Sequence, residues 1–345
     1  MSSPLRDLVH ALCSVECAGR APGTPGGVLA RRLVVDALRD AGLDPGEQPV
    51  PGCNGANVIA TIPGEVDRWV LVAAHYDHLG VVEGAMYPGA DDNAAAVGIL
   101  VETARALASR RPEGRGVIVA AFDGEEPPYF MTEGMGSEHF ARHPTVPLDR
   151  IDLMVCMDLV GHAVGPEEAP AGVRDTVFLL GAERSDGTPQ IAEELSRAEA
   201  GVVVRRADAE IIPPLSDYAA FWDRGRPFAL LTSARSRVYH TPGDVPARLA
   251  WEKMAATARW LERFVRASCA REERPFAFSR ARDDVSTLDS FIDLTAELAA
   301  RSPQARMGHE MARALRARCR ADGTLPESDL GQLAMLVAAL EAGLA

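Results

Sequence analysis

Histidines and acids recur at five points along this 345-residue chain: His75 and Asp77 in AAHYDH, Asp91 and Asp92 in PGADDN, Glu125 and Glu126 in FDGEE, Asp158 in CMDLVG, and His240 in VYHTPGD. Counting one aspartate from the adjacent pair as a ligand, the set holds two imidazoles, three carboxylate ligands and a spare carboxylate. That is the inventory for a pair of zinc ions sharing a bridging aspartate, with a free glutamate to carry a proton. An isolated H-x-D or E-E pair is most often a solvated or salt-bridged surface feature. Five such segments in one order, each beside an expected strand end, point instead to a metal-dependent hydrolase.

The local spacing divides the roles. His75 and Asp77 stand two apart, so on an extended strand both side chains project to one side. A metal-bound imidazole usually gives its other ring proton to a carboxylate or carbonyl, and Asp77 can be that partner, with His78 a rival ligand. Asp91 and Asp92 are adjacent and cannot both face one ion in extended geometry; one of them bridges, and Gly89 and Ala90 before them leave room for a tight loop. Of the two glutamates one must stay ionised on metal while the other exchanges a proton, and we assign Glu126 to metal and Glu125 to general base.

The elements that position these residues are legible as apolar, β-branched runs at 69–74, 116–122 and 151–157, each leading into one of the segments. Side chains at the carboxyl ends of parallel strands converge on one crevice. A helical pattern at 94–110 lies between two of the runs. The expectation is an α/β fold with a mostly parallel central sheet, helices on both faces and the metal site at the strand carboxyl ends. A catalytic region over 1–269 is expected to be followed by a helical C-terminal extension over 270–345. Three helical patterns, at 283–300, 305–320 and 328–344, fill that extension. In the last, Leu330, Leu333, Leu336 and Leu340 fall near one face, as in a packed cap or a dimer element, and His309 reads as an exposed helix residue.

As a set these motifs resemble the zinc aminopeptidase family that includes bacterial leucyl aminopeptidase and aminopeptidase Y, with glutamate carboxypeptidase II and the glutaminyl cyclases among its relatives. The likeness runs from about residue 8 to residue 265, starting with CAGRAPGTPG at 17–26 and closing with YHTPGDVP and the helix after it. It implies that His75, Asp91 and Asp158 hold one zinc, and that Asp91, Glu126 and His240 hold the other. It implies also that Asp77 orients His75, that Glu125 is the general acid and base, that Tyr239 places a hydroxyl near the developing oxyanion, and that the peptide between Asp91 and Asp92 is cis.

Two departures stand out. Residues 127–135 separate GEE from Gly136 and Ser137, an insertion similar to that of glutaminyl cyclases. Ser216-Asp217-Tyr218 replaces the SDH common among relatives, and cyclases tend to carry an acid where Ser216 stands. The leading expectation is an aminopeptidase with two zinc ions that hydrolyses the N-terminal amide of a peptide or small amide. The alternatives are a glutaminyl-peptide cyclotransferase using one zinc and a non-catalytic binding module; the intact ligand set speaks against the latter. Loops such as 127–135 and 181–190 are expected to supply the pocket walls.

A net charge of −13 disfavours nucleic acid and anionic membrane as partners and suits a substrate with a positive amino end. The apolar runs fall short of a bilayer span. The opening residues show no basic stretch followed by an apolar one, so a cytoplasmic location is expected. Six cysteines without C-x-x-C spacing read as buried free thiols. Lys253 is the only lysine. Self-association, if it occurs, is expected through the C-terminal helices.

Overall fold

In the computed structural model, which describes residues 3–272 and 274–344, the strands in chain order are β1 (Gly46–Val50), β2 (Gly55–Ile62), β3 (Val66–His75), β4 (Gly80–Val82), β5 (Ala85–Tyr87), β6 (Arg115–Phe122), β7 (Ile151–Met157), β8 (Thr176–Leu180), β9 (Val203–Ala207) and β10 (Phe228–Thr232). Eight of them form one sheet in the order β1-β2-β6-β3-β7-β10-β8-β9, while β4 and β5 pair separately. The central strands β6, β3, β7 and β10 are mutually parallel. Antiparallel pairings extend the sheet, β6 to β2 to β1 on one flank and β10 to β8 on the other, where β9 then joins β8 in parallel.

The central strands are Val-, Ile-, Leu- and Ala-rich because they are covered on both faces. Side chains alternate between two cores along β3: Val70, Val72 and Ala74 face one, Leu71 and Ala73 the other. The first core is covered by the helices Pro4–Leu12, Pro25–Asp40, Ala95–Ser109 and Trp251–Cys269. The second is covered by the helix Gly136–Arg142 and by three C-terminal helices, Asp284–Ala299, Pro303–Arg316 and Glu327–Leu344.

The helix starts are written in the sequence. Thr24, Asp283 and Ser302 each accept a backbone N–H from the first turn, and proline opens the helices after Thr24 and Ser302. Leu333 and Leu336 of the last helix are buried in one apolar cluster with Phe178, Leu180 and Leu230 of the sheet, and Leu330 and Leu340 pack at its margin. Burying each such leucine contributes about 1.5–3 kcal/mol. The apolar side of that helix is therefore covered within the chain. His309, expected to be exposed, is half-buried between two of these helices, with Nδ1 3.1 Å from Thr295 Oγ1 and 3.2 Å from the Ile292 carbonyl.

The segment leading to these helices is tied to the sheet. The buried Arg115 guanidinium donates to the carbonyls of Arg271, Glu272 and Arg274 while holding Asp152. All six cysteines are free thiols. No helix among the described residues is long and apolar enough to cross a membrane.

Candidate active site

β3 delivers His75 at its last residue, and the chain continues through Asp77 and His78 across the carboxyl ends of the sheet. β6 leads into Glu125 and Glu126, and β7 into Asp158. Asp77 is buried and joins the first two segments. Its two oxygens accept the N–H groups of Glu125 and Glu126, both at 3.1 Å, and Oδ1 lies 3.5 Å from His75 Nδ1. One carboxylate therefore sets the attitude of two glutamate backbones and faces one imidazole.

The aspartate that stands between His75 and His240 is Asp92 and not Asp91, one residue later than the sequence expectation. Asp92 Oδ1 lies 3.4 Å from His75 Nε2, and Oδ2 lies 3.1 Å from His240 Nε2. Asp91 turns to the opposite side of the loop. There Oδ1 accepts the N–H groups of Gly161 (2.7 Å) and His162 (3.0 Å), and Oδ2 lies 2.7 Å from His162 Nδ1. Likewise the cis peptide falls between Asp92 and Asn93, one bond later than expected.

Two residues outside the expected set hold this loop in place. Asp244, four beyond His240, accepts the N–H groups of Asp91 (2.9 Å) and Asp92 (3.1 Å), one on each oxygen. Arg20, fully buried, donates to the carbonyls of Tyr76 (2.7 Å), Gly89 (2.6 Å) and Asp92 (3.1 Å) and also to Pro88. Gly89 has a positive φ of 59°, and a Cβ there would stand 2.2 Å from the Asp92 carbonyl oxygen, so the turn requires glycine.

The side chains converge as two groups sharing Asp92. In one, His75 Nε2 stands 3.4 Å from Asp92 Oδ1, 3.6 Å from Asp158 Oδ1 and 3.7 Å from Glu125 Oε2. In the other, His240 Nε2 stands 3.1 Å from Asp92 Oδ2 and 3.2 Å from Glu126 Oε2. His78 touches the second group from behind, with Nδ1 2.6 Å from Glu126 Oε1 and 4.0 Å from Asp92 Oδ2. His240 and Leu159, the residue after Asp158, both take positive φ, 52° and 53°, a conformation costly for residues with a Cβ and concentrated at functional sites.

These residues fit a metal ion. Both ring nitrogens of His75, and Asp158 Oδ1, are buried without a hydrogen bond, although buried polar atoms are normally partnered. Ligand atoms bound about 2.0–2.2 Å from one tetrahedral zinc lie roughly 3.3–3.6 Å from one another, which matches the spacing in the His75 group. Charge agrees. Burial alone would lower the His75 pKa, yet Glu125, Asp158, Asp77 and Asp92 hold it well above the ordinary imidazole value. Burial likewise opposes protonation of His240, and Asp92 and Glu126 carry it up to about 10. A cluster that draws protons onto its imidazoles is one that stabilises cations. Burial pushes Glu125 well above the usual carboxylate range; His75 counters this, while Asp158, Asp217 and Glu126 add to it.

A cavity of about 130 Å³ opens beside the cluster, with Asp92, Glu125 and Asp158 on one side and mainly apolar side chains elsewhere. Neither 127–135 nor 181–190 lines it, contrary to expectation. The first of these folds back, with Gly134 packed against Gly52 and Gly136, just after it, donating to the Asp123 carbonyl at 2.7 Å. Ile211, Ile212, Leu215 and Ser216 form one wall, and the C-terminal helices supply another. Tyr239 also borders the cavity, its ring stacked on His240 with centroids 3.8 Å apart. Burial raises its hydroxyl pKa, as do Asp92, Glu126 and Asp158, so the hydroxyl keeps its proton. Of the SDY segment, Asp217 lies buried behind the cluster and burial pushes its carboxyl up to about 7, whereas Tyr218 packs on Phe228 and Trp222.

Fold and site together define a metallopeptidase. The chain belongs to peptidase family M28, whose model matches residues 57–265. It is 29% identical over 227 residues to the uncharacterized protein YfbL of Escherichia coli (strain K12), a match spanning 60% of this chain and 69% of that one. The LapA aminopeptidase of Legionella pneumophila has a similar fold, with a TM-score of 0.63 at 16% identity over 77% of this chain and 71% of that one. The glutaminyl cyclase of Porphyromonas gingivalis matches with a TM-score of 0.61 at 21% identity, covering 76% of this chain and 97% of that one.

Proposed function

We propose that this protein is a zinc aminopeptidase, hydrolysing the N-terminal amide bond of a peptide or small amide. The observation that carries the reading is the placement of Asp92, each of whose oxygens faces a different histidine-carboxylate group, with Glu125 left over at the cavity edge. His75, Asp92 and Asp158 would hold one zinc, and Asp92, Glu126 and His240 a second. His78 then serves to fix the second oxygen of Glu126. Zinc in such a site acidifies water and polarises a carbonyl.

The chain's own residues do the rest. Glu125 faces the cavity and takes the proton of the attacking water, then returns it to the departing amine. Its raised pKa suits a group that must hold a proton between those two events. Asp77 keeps Glu125 and Glu126 at fixed attitude through their N–H groups, so the base and the ligand beside it do not exchange roles. Tyr239, protonated and held on His240, is the donor available to a developing oxyanion. The surplus of carboxylates favours a substrate with a positive amino end.

The second reading, a cyclotransferase in which the substrate's own amine attacks a γ-amide, draws support from the likeness to the glutaminyl cyclase fold. Ser216 opposes it, since a serine borders the cavity at a position where cyclases tend to carry an acid. The two are separated by incubating one zinc-loaded sample with aminoacyl-arylamides and with a glutaminyl peptide. Arylamide cleavage supports the peptidase; pyroglutamate formation with no arylamide cleavage overturns it.

A further inference from the structure

The cavity beside the cluster is closed by helices that lie beyond the family match. That match ends at residue 265, yet Phe291, Val337, Leu340 and Leu344 line the space together with Phe178 and Leu230 of the sheet. We infer that the C-terminal helices form the specificity wall of the substrate pocket, and that the pocket takes an apolar side chain, branched or aromatic, on the residue whose amide is cleaved.

Three observations carry this. First, away from the three carboxylates the lining is mainly apolar, and its two other charged side chains, Arg235 and Glu341, face each other at 3.9 Å, so the pocket offers little to offset the desolvation of a charged or amide side chain. Second, the last helix is fixed in position: the Gly165 N–H donates to the Leu344 carbonyl at 2.8 Å, while Leu333 and Leu336 are buried in the core beneath. Third, the same helix reaches the site's edge. Glu341 lies 3.9 Å from the Arg235 guanidinium, which stands 5.1 Å over the Tyr239 ring, itself stacked on His240. A change in the last helix is thereby felt both by the pocket and by the residues next to a candidate ligand.

Leu340 is the residue to vary, because it borders the cavity and is only partly buried. The identity of the substrate rests on the aminopeptidase reading, so the test pairs catalysis with binding. Zinc-loaded wild type, Leu340→Trp and Leu340→Ala are assayed on alanyl-, leucyl- and phenylalanyl-arylamides. The same samples are titrated calorimetrically with leucine hydroxamate and glycine hydroxamate. A methylene in an apolar pocket discriminates by about 10- to 200-fold.

Wild type is expected to prefer leucyl over alanyl substrate by about tenfold or more, and to bind leucine hydroxamate more tightly than the glycine compound by a similar factor. Leu340→Trp should erase both preferences, lowering activity toward leucyl substrate and affinity for leucine hydroxamate by about tenfold or more. Leu340→Ala should shift preference from leucyl toward phenylalanyl, and carries the test should the tryptophan variant fail to fold. Unchanged ratios in folded variants overturn the inference. If wild type cleaves no arylamide but the hydroxamate preference is present and lost in Leu340→Trp, the aminopeptidase reading falls while the pocket assignment stands.

Discussion

His162 Nδ1 lies 2.7 Å from Asp91 Oδ2, on the side of the loop away from His75. That contact engages Asp91 outside the cluster and leaves its neighbour Asp92 as the residue between His75 and His240. Asp92→Asn should therefore lose zinc, whereas Asp91→Asn should retain it while losing about 1–3 kcal/mol of stability through weakened bonds to Gly161 and His162. Elemental analysis of the two purified variants, with thermal unfolding alongside, checks the pair. The opposite pattern would return the bridge to Asp91.

In the proposed mechanism Asp77 acts through Glu125, Glu126 and His75, whose backbone N–H groups or ring it faces. Asp77→Asn keeps the shape but presents one donor where two N–H groups now meet acceptors. We expect turnover or zinc affinity to fall by about 10- to 100-fold, the usual cost of removing a group that orients ligands. Titration with a competing chelator and steady-state kinetics measure the two effects separately. A variant indistinguishable from wild type in both would remove Asp77 from the machinery.

Arg20 is a structural clamp on the loop that carries Asp92. Arg20→Met strands several buried carbonyls, and we expect a loss of about 3 kcal/mol or more in denaturant unfolding, with weaker zinc retention. Arg20→Lys, with fewer donors and no planar fork, should fall between the two.

Lys253 is fully buried and donates to the His162 carbonyl and to Ser233 Oγ, both at 2.7 Å. Burial pushes its ammonium pKa down to about 7; Asp91 and Asp175 counter this and Arg174 adds to it. Between that value and the ordinary lysine pKa of about 10.4, the unfolded chain carries a proton here that the folded chain lacks, so stability from this group rises with pH across that window and is level, at its lowest, below it. Relative to Lys253→Met, wild type should gain up to about 1.4 kcal/mol per pH unit there. Parallel pH dependences for the two proteins would contradict this.

Strand-end placement was legible because β3, β6 and β7 are continuous apolar runs and each ends where a ligand type begins. The choice between Asp91 and Asp92 was not, since two adjacent aspartates are equivalent until the loop's path is fixed, and that path depends on Arg20 and Asp244, both remote in sequence. Each of those lay inside a motif that stood out, CAGRAPGTPG and YHTPGD. Their functional atoms, however, are directed at backbone groups, which no residue-type pattern reports. The pocket wall was misplaced for a related reason. An insertion beside the glutamates suggests a remodelled mouth, but 127–135 folds back against Gly52 and Asp123. The wall comes from helices more than a hundred residues later, whose apolar stripe by itself indicates packing and not what they pack around.

The central claim is a zinc cluster bridged by Asp92 with Glu125 free to move a proton, and the turnover of Glu125→Gln at verified zinc content tests it most directly. The glutamine conserves size and leaves the proposed metal ligands untouched, so zinc per chain should equal that of wild type while kcat falls by about 10²- to 10⁴-fold. Turnover within about threefold of wild type at equal zinc content would contradict the account, since it would mean that no proton passes through Glu125.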